Sequence, residues 1–171
     1  MAEVSLEAIK ALRMQTNAGV MDCKNALNEA GGDIVKAAEL LRQKGLILAS
    51  KKSSRDTHEG VVDCYIHTGS RVGAIVEVNC ETDFVARTPE FRELVHNLAM
   101  QIAAMAPRYV DNEDNESIPA EDIANPEEAC LMEQPFIKDP SMTIKDLVNS
   151  VVARLGENIR VKRFKRFALG E

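Results

Sequence analysis

The period of the hydrophobic pattern changes once along this chain, near Gly60, and that switch constrains the fold more than any other feature. Before it, apolar residues recur at helical spacing in three short runs. Leu6, Ile9 and Leu12 follow Ser5 as an N-cap. Val20, Met21, Cys23, Ala26, Leu27 and Ala30 follow a break at Thr16-Asn17-Ala18-Gly19 and are closed by Gly31-Gly32. Ile34, Ala37, Ala38, Leu40 and Leu41 follow Asp33 as an N-cap and are closed by Gly45. Three helices in so few residues make a minimal bundle with a thin core. Residues 1–50 therefore read as a three-helix module, 51–59 (Lys51-Lys52-Ser53-Ser54-Arg55-Asp56 and the residues after them) as a linker, and 60–171 as an α+β core.

Beyond Gly60 the period is two. Val62, Cys64 and Ile66 alternate with Asp63, Tyr65 and His67, and Val72, Ala74, Val76 and Val78 alternate with Arg71, Gly73, Glu77 and Asn79. A hairpin follows. A three-residue loop, Thr68-Gly69-Ser70, pairs Ile66 with Val72, Cys64 with Ala74 and Val62 with Val76 on one apolar face, so this register is expected, with Gly69 or a neighbour in the left-handed region. Thr88-Pro89-Glu90 supplies a cap, a first-turn proline and an acid, predicting a helix with Phe91, Leu94, Val95, Leu98, Ile102 and Met105 as its buried stripe, ended by Pro107. Residues 107–140 carry five of the six prolines and the acidic run Asp111-Asn112-Glu113-Asp114-Asn115-Glu116, and read as an extended acidic connection. Thr143 and Asp146 then make a capping-box start for a helix bearing Ile144, Leu147, Val148, Val151 and Leu155, ended by Gly156. Ile159 to Leu169 reads as a third strand. The fold class expected is α+β, a helical module followed by an antiparallel three-stranded sheet covered by helices.

Chemistry is sparsely encoded. The chain carries neither GxxxxGK[ST] nor GxGxxG, and His58, His67 and His96 form no recognisable pair with each other or with a cysteine. Cys23, Cys64, Cys80 and Cys130 are scattered without a CxxC. Cys64 and His67 are three apart on a strand and face opposite sides, so no metal site or cofactor is expected and the cysteines read as small buried hydrophobes. No run of about 18 apolar residues is present, and Met1-Ala2-Glu3-Val4 has no basic or apolar leader character, which reads as cytoplasmic. The net charge of -6 argues against generic nucleic-acid binding. The basic run Arg160, Lys162, Arg163, Lys165 and Arg166, interleaved with Phe164 and Phe167, keeps an RNA-binding reading open. Ile159, Val161, Phe167 and Leu169 share one face of a regular strand, which favours core for the phenylalanines, while Phe164 lies on the opposite face, where either a bulge corrects its place or a second subunit buries that face. The three-helix module keeps open an adaptor reading, with ubiquitin-like or helical partners. The sharpest local feature is Asn79-Cys80-Glu81-Thr82-Asp83-Phe84-Val85-Ala86-Arg87, where a strand runs into an acid and a large aromatic before the next cap. From composition alone, Phe84 packs on Phe91.

Four motifs taken together carry a family resemblance: Thr16-Asn17-Ala18-Gly19-Val20-Met21-Asp22-Cys23-Lys24-Asn25-Ala26-Leu27, Val78-Asn79-Cys80-Glu81-Thr82-Asp83-Phe84-Val85-Ala86, Gln134-Pro135-Phe136 and Gly156-Glu157-Asn158-Ile159. In this order the chain resembles the translation elongation factor Ts family, guanine-nucleotide exchange factors for elongation factor Tu. The resemblance implies a ubiquitin-associated-like N-terminal module and a core that the family uses for dimerisation. It implies binding to elongation factor Tu, GDP-bound or nucleotide-free, without catalysis by the chain itself. It assigns Thr82, Asp83, Phe84 and Val85 to a segment that disturbs the partner's Mg²⁺ site, and Asn17, Ala18, Gly19, Val20 and Met21 to the module's contact. The strand-strand-helix pattern occurs once here and twice in longer members, which implies a homodimer. A helical stretch that many members place before Gln134 is missing.

Overall fold

The computed structural model describes residues 4–16, 18–111 and 119–171. Three helices come first: α1 (Leu6–Thr16), α2 (Val20–Glu29) and α3 (Ile34–Lys52). The Ser5 hydroxyl accepts from the Ala8 amide and the Asp33 carboxylate from Val35 and Lys36, so both caps act as their sequences predict. Ile9, Leu12, Cys23, Ala26, Leu27 and Ala37 form the module's own small core.

Gly45 does not end α3. The helix runs through it to Lys52 because Gly45 is where α3 crosses α8 (Ile144–Leu155): a Cβ placed there would lie 3.7 Å from the Ala153 Cβ. A glycine inside a helix costs about 1 kcal/mol of propensity, offset here by close helix packing. Arg42 reaches Asp146 (3.4 Å), and the Lys52 ammonium donates to the Gly156 carbonyl. The first two residues of the expected linker are thus helical, and α3 lies on the core.

The core holds a three-stranded antiparallel sheet in the order β1 (Glu59–Ile66), β2 (Val72–Cys80), β5 (Ile159–Ala168). The hairpin register differs from the expected one. Ile66 pairs with Gly73, Tyr65 with Ala74, Asp63 with Val76 and Val61 with Val78, and the His67 amide closes on the Val72 carbonyl around the loop Thr68–Arg71, in which the Ser70 amide donates to the His67 carbonyl and Gly69 and Ser70 take positive φ (91° and 54°). β1 is consequently turned over. Val61, Asp63 and Tyr65 face inward with Ala74, Val76 and Val78, while Val62, Cys64 and Ile66 are exposed on the outer face. The inward acid is accommodated by α5 (Pro89–Met105), whose His96 places Nδ1 3.2 Å from the Asp63 carboxylate, with Tyr65 edge-on to the same imidazole.

β5 carries the bulge that Phe164 requires, since Glu77 pairs with Arg163 and Val78 with Val161, leaving Lys162 over. Phe164 joins the inner face opposite Val76. The same slip sends Phe167 outward opposite Gly73, 66% exposed, which corrects its expected place in the core. α5 covers the inner face with Phe91, Leu94, Val95, Leu98 and Ile102, all buried. Against it packs α8 (Ile144–Leu155), opened by the full Thr143–Asp146 capping box and closed by Gly156 at φ 77°.

The described residues of 107–140 are folded rather than extended. They form α6 (Ala120–Ala124), α7 (Pro126–Ala129), a 3₁₀ turn at Leu131–Glu133 and a small hairpin of β3 (Pro135–Phe136) and β4 (Asp139–Thr143). Leu131, Gln134 and Phe136 are buried, and the Gln101 amide bridges Gln134 Oε1 and the Pro135 carbonyl. Gln134 and Phe136 are therefore core residues on either side of an exposed Pro135. Asn112 to Glu116, most of the acidic run, lies outside the described residues.

Candidate functional site

Where β2 ends, the chain makes a single helical turn, α4 (Asp83–Ala86), before Thr88 caps α5. Four residues do not sustain a helix by themselves, so its neighbours hold it. Thr82 is its N-cap, with Oγ1 accepting from the Val85 amide at 3.4 Å. Val85 and Ala86 are turned into the core, 5% and 6% exposed. Asp83 and Phe84 are turned out. Phe84 is 76% exposed and does not pack on the fully buried Phe91, contrary to the composition-based expectation. Asp83 pairs with Arg87 one turn on, at 2.8 Å across exposed side chains. The four residues thus divide into two that anchor and two that project.

The anchoring continues from the strand into side chains. Cys80–Ile159 is the last backbone pair between β2 and β5. Beyond it the Glu81 carboxylate accepts from the Asn158 amide (2.6 Å), and the Glu157 carboxylate accepts from the Thr82 amide (3.0 Å) and hydroxyl (2.6 Å). Two carboxylates take over the role of carbonyl acceptors in the same register. The Asn158 amide hydrogen bond, with Arg55 beside it, holds the Glu81 carboxyl below its ordinary range. Asn158 itself is buried and ties down the 53–55 connection through the Ser53 and Arg55 carbonyls. The Cys80 thiol, pushed up to about 11 by burial and by the nearby Glu157, is an inert packing group at the foot of the tip. The Gly156-Glu157-Asn158 motif carries part of the family resemblance, which assigns its residues no function. The signal for one was there: two acids flanking a strand end that would otherwise leave amides unpaired.

The second candidate patch is the α1–α2 loop. Gly19 caps α2, Val20 and Met21 are 50% and 64% exposed, and Ala18 is half-buried above Cys23, whose thiol points at the Ala18 carbonyl. Asn17 lies outside the described residues. The loop and the tip are separate patches on different parts of the molecule.

Elsewhere the chemistry is bland. Among the described residues no group of three or more His, Cys, Asp or Glu side chains is placed to hold a metal ion, and no helix is long and apolar enough to cross a membrane. Of the basic run, Arg163 is paired with Glu77 (2.7 Å), and Arg166 bonds the Ala103 carbonyl and Glu171. Two of the five cations are engaged and Phe164 is inside, so of the two interleaved phenylalanines Phe167 alone is exposed, on the outer face with Lys165.

Fold and tip together present a short, braced projection, Asp83 and Phe84, beyond the end of β2. Comparison with known proteins specifies the class. The family described as Elongation factor TS matches residues 5–128 and 123–171. Elongation factor Ts of Caldanaerobacter subterraneus subsp. tengcongensis is 49% identical over 98% of each chain. That of Carboxydothermus hydrogenoformans is 48% identical over 98% of this chain and 90% of its own, and that of Rippkaea orientalis 48% identical over all of this chain and 80% of its own. The chain belongs to the elongation factor Ts family, a family of translation factors in protein biosynthesis. The alignment with the first relative spans 195 positions against 171 residues here, so that relative carries inserted residues this chain lacks. The two matched blocks meet at 123–128, just before Gln134, where the sequence reading expects a helical stretch to be missing.

Proposed function

We propose that this chain is a guanine-nucleotide exchange factor that binds elongation factor Tu·GDP and promotes GDP release by disturbing the partner's Mg²⁺ site. The observation that carries the reading is Phe84, a large aromatic held out at 76% exposure on a turn braced by a strand, a capped helix and two carboxylates. An apolar ring kept rigid in water has little use in the isolated protein and much use as a wedge. Mg²⁺ demands a near-ideal octahedron at about 2.1 Å, so a small displacement of the elements around it suffices. Asp83, beside the ring, competes for donors that hold the partner's switch region. Thr82 and Val85 keep both in place.

The energetic requirement is modest. A roughly thousandfold weakening of nucleotide binding needs about 4 kcal/mol of coupling, and by reciprocity the same coupling lets nucleotide expel the factor. The chain performs no bond chemistry and needs no cofactor or metal of its own, acts in the cytoplasm, and contacts neither nucleic acid nor membrane directly. The loop from Asn17 to Met21, on a ubiquitin-associated-like module, supplies a second contact with the same partner. A second copy of the chain covers the outer sheet face, where Val62, Ile66, Ile75 and Phe167 are 43% to 66% exposed.

The test is release of labelled GDP from elongation factor Tu. Phe84→Ala and Asp83→Ala are expected to slow stimulated release by tenfold or more. If both variants stimulate at the parent rate, the tip has been misassigned.

A further inference from the structure

Glu157 is the residue of the Gly156-Glu157-Asn158 motif that reaches the tip. Gly156 makes this possible: its left-handed φ of 77° ends α8 and turns the chain back toward β2, where only a residue without Cβ avoids strain. Glu157 then meets Thr82 with both carboxylate oxygens, one on the amide and one on the hydroxyl. The hydroxyl has a single proton. Donating it to Glu157 leaves a lone pair for the Val85 amide, the bond that caps α4. Orientation therefore passes from Glu157 to Thr82 to the turn bearing Asp83 and Phe84. The parallel bond from Glu81 to the Asn158 amide keeps the two segments at ladder spacing, so Glu157 cannot drift away from its target.

We infer that Glu157, 75 residues from Thr82 along the sequence, is a positioning residue for the Asp83–Phe84 projection. The inference rests on the exchange-factor reading. Among the described residues Glu157 makes no hydrogen bond to Phe84 or to the α1–α2 loop, so its effect falls on how well the tip is aimed and not on how well the factor docks.

Glu157→Gln keeps the side chain's size but replaces one acceptor by an NH₂ that meets the Thr82 donors. Charge-assisted bonds of this kind are each worth about a factor of ten. The variant is expected to lower GDP release at saturating factor by about tenfold while the half-saturating concentration stays within twofold. Glu157→Asp, which keeps the carboxylate, is expected to regain part of the loss. In NMR spectra the Thr82 and Val85 amides of Glu157→Gln should exchange faster with solvent while those of Val76 and Val78 stay protected, a pattern that general destabilisation would not give. Should Glu157→Gln fail to fold, the same amides and rates are read in Thr82→Val, which deletes the hydroxyl that Glu157 holds, and parent-like values for both would overturn the inference. Parent-rate exchange by Glu157→Gln beside an impaired Phe84→Ala also overturns it, and so does a change confined to half-saturation. Parent-rate exchange by Phe84→Ala would instead bring down the exchange-factor reading itself.

Discussion

Gly45 of α3 and Ala153 of α8 meet so closely that a Cβ on the glycine would lie 3.7 Å from the alanine's own, an ordinary van der Waals separation. The site has room for a methyl group. Gly45→Ala is expected to raise stability by about 0.5–1 kcal/mol, through helix propensity. Gly45→Leu should lower it by about 1–3 kcal/mol by forcing the helices apart. Urea denaturation of the three proteins checks both signs.

The division of the tip into anchors and projections predicts a split between stability and function. Phe84→Ala and Asp83→Ala remove exposed groups and should leave unfolding free energy within about 0.5 kcal/mol of the parent. Val85→Ala, at 5% exposure, should cost about 1–2 kcal/mol. Chemical denaturation of each variant, beside its exchange rate, separates the two roles.

Glu81 gives a pH signature. Its pKa is lowered in the folded state, first by the Asn158 amide and then by Arg55, so its ionised form stabilises the fold above the unfolded value of about 4.5 and that contribution is lost as pH falls through the lowered folded value. The parent should exceed Glu81→Gln by about 1 kcal/mol at neutral pH. The gap should close on acidification below 4.5, measured by denaturation at successive pH values.

Thiol labelling reports on the sheet's outer face. Cys64 is exposed there, while Cys23, Cys80 and Cys130 are buried. In dilute native protein one thiol per chain should react quickly and three only on unfolding. If a second copy covers the outer face, the Cys64 rate should fall as protein concentration rises. A rate independent of concentration would argue against that dimer surface.

Much of this architecture was legible because local signals were strong. Thr88-Pro89, the Thr143–Asp146 box and Gly156 set helix ends through bonds to their own neighbours, and those ends match. What failed was information that lives between segments. The β1 alternation marks which residues are apolar but not which side faces the helices, and both sides of this sheet carry apolar residues. A β5 bulge at Lys162 cannot be located from spacing, yet it decides that Phe164 goes in and Phe167 goes out. Gly45 carries the composition of a helix end and serves as a helix crossing. The projecting pair was legible only through the family resemblance, since an exposed Phe84 and a buried one are written with the same letter.

The unbroken course of α3 has a mechanical consequence. Its 19 residues span about 28 Å at roughly 1.5 Å per residue, and its far end is clamped to the core, so the helical module and the sheet behave as the two jaws of a fixed gauge. If the α1–α2 loop is a contact as proposed, α3 presents the tip at a set distance and angle from it, and a second contact costs little further loss of freedom. The same stiffness imposes selectivity by size. A partner whose two receiving surfaces are spaced differently can satisfy one jaw or the other, and gains no avidity from the pair.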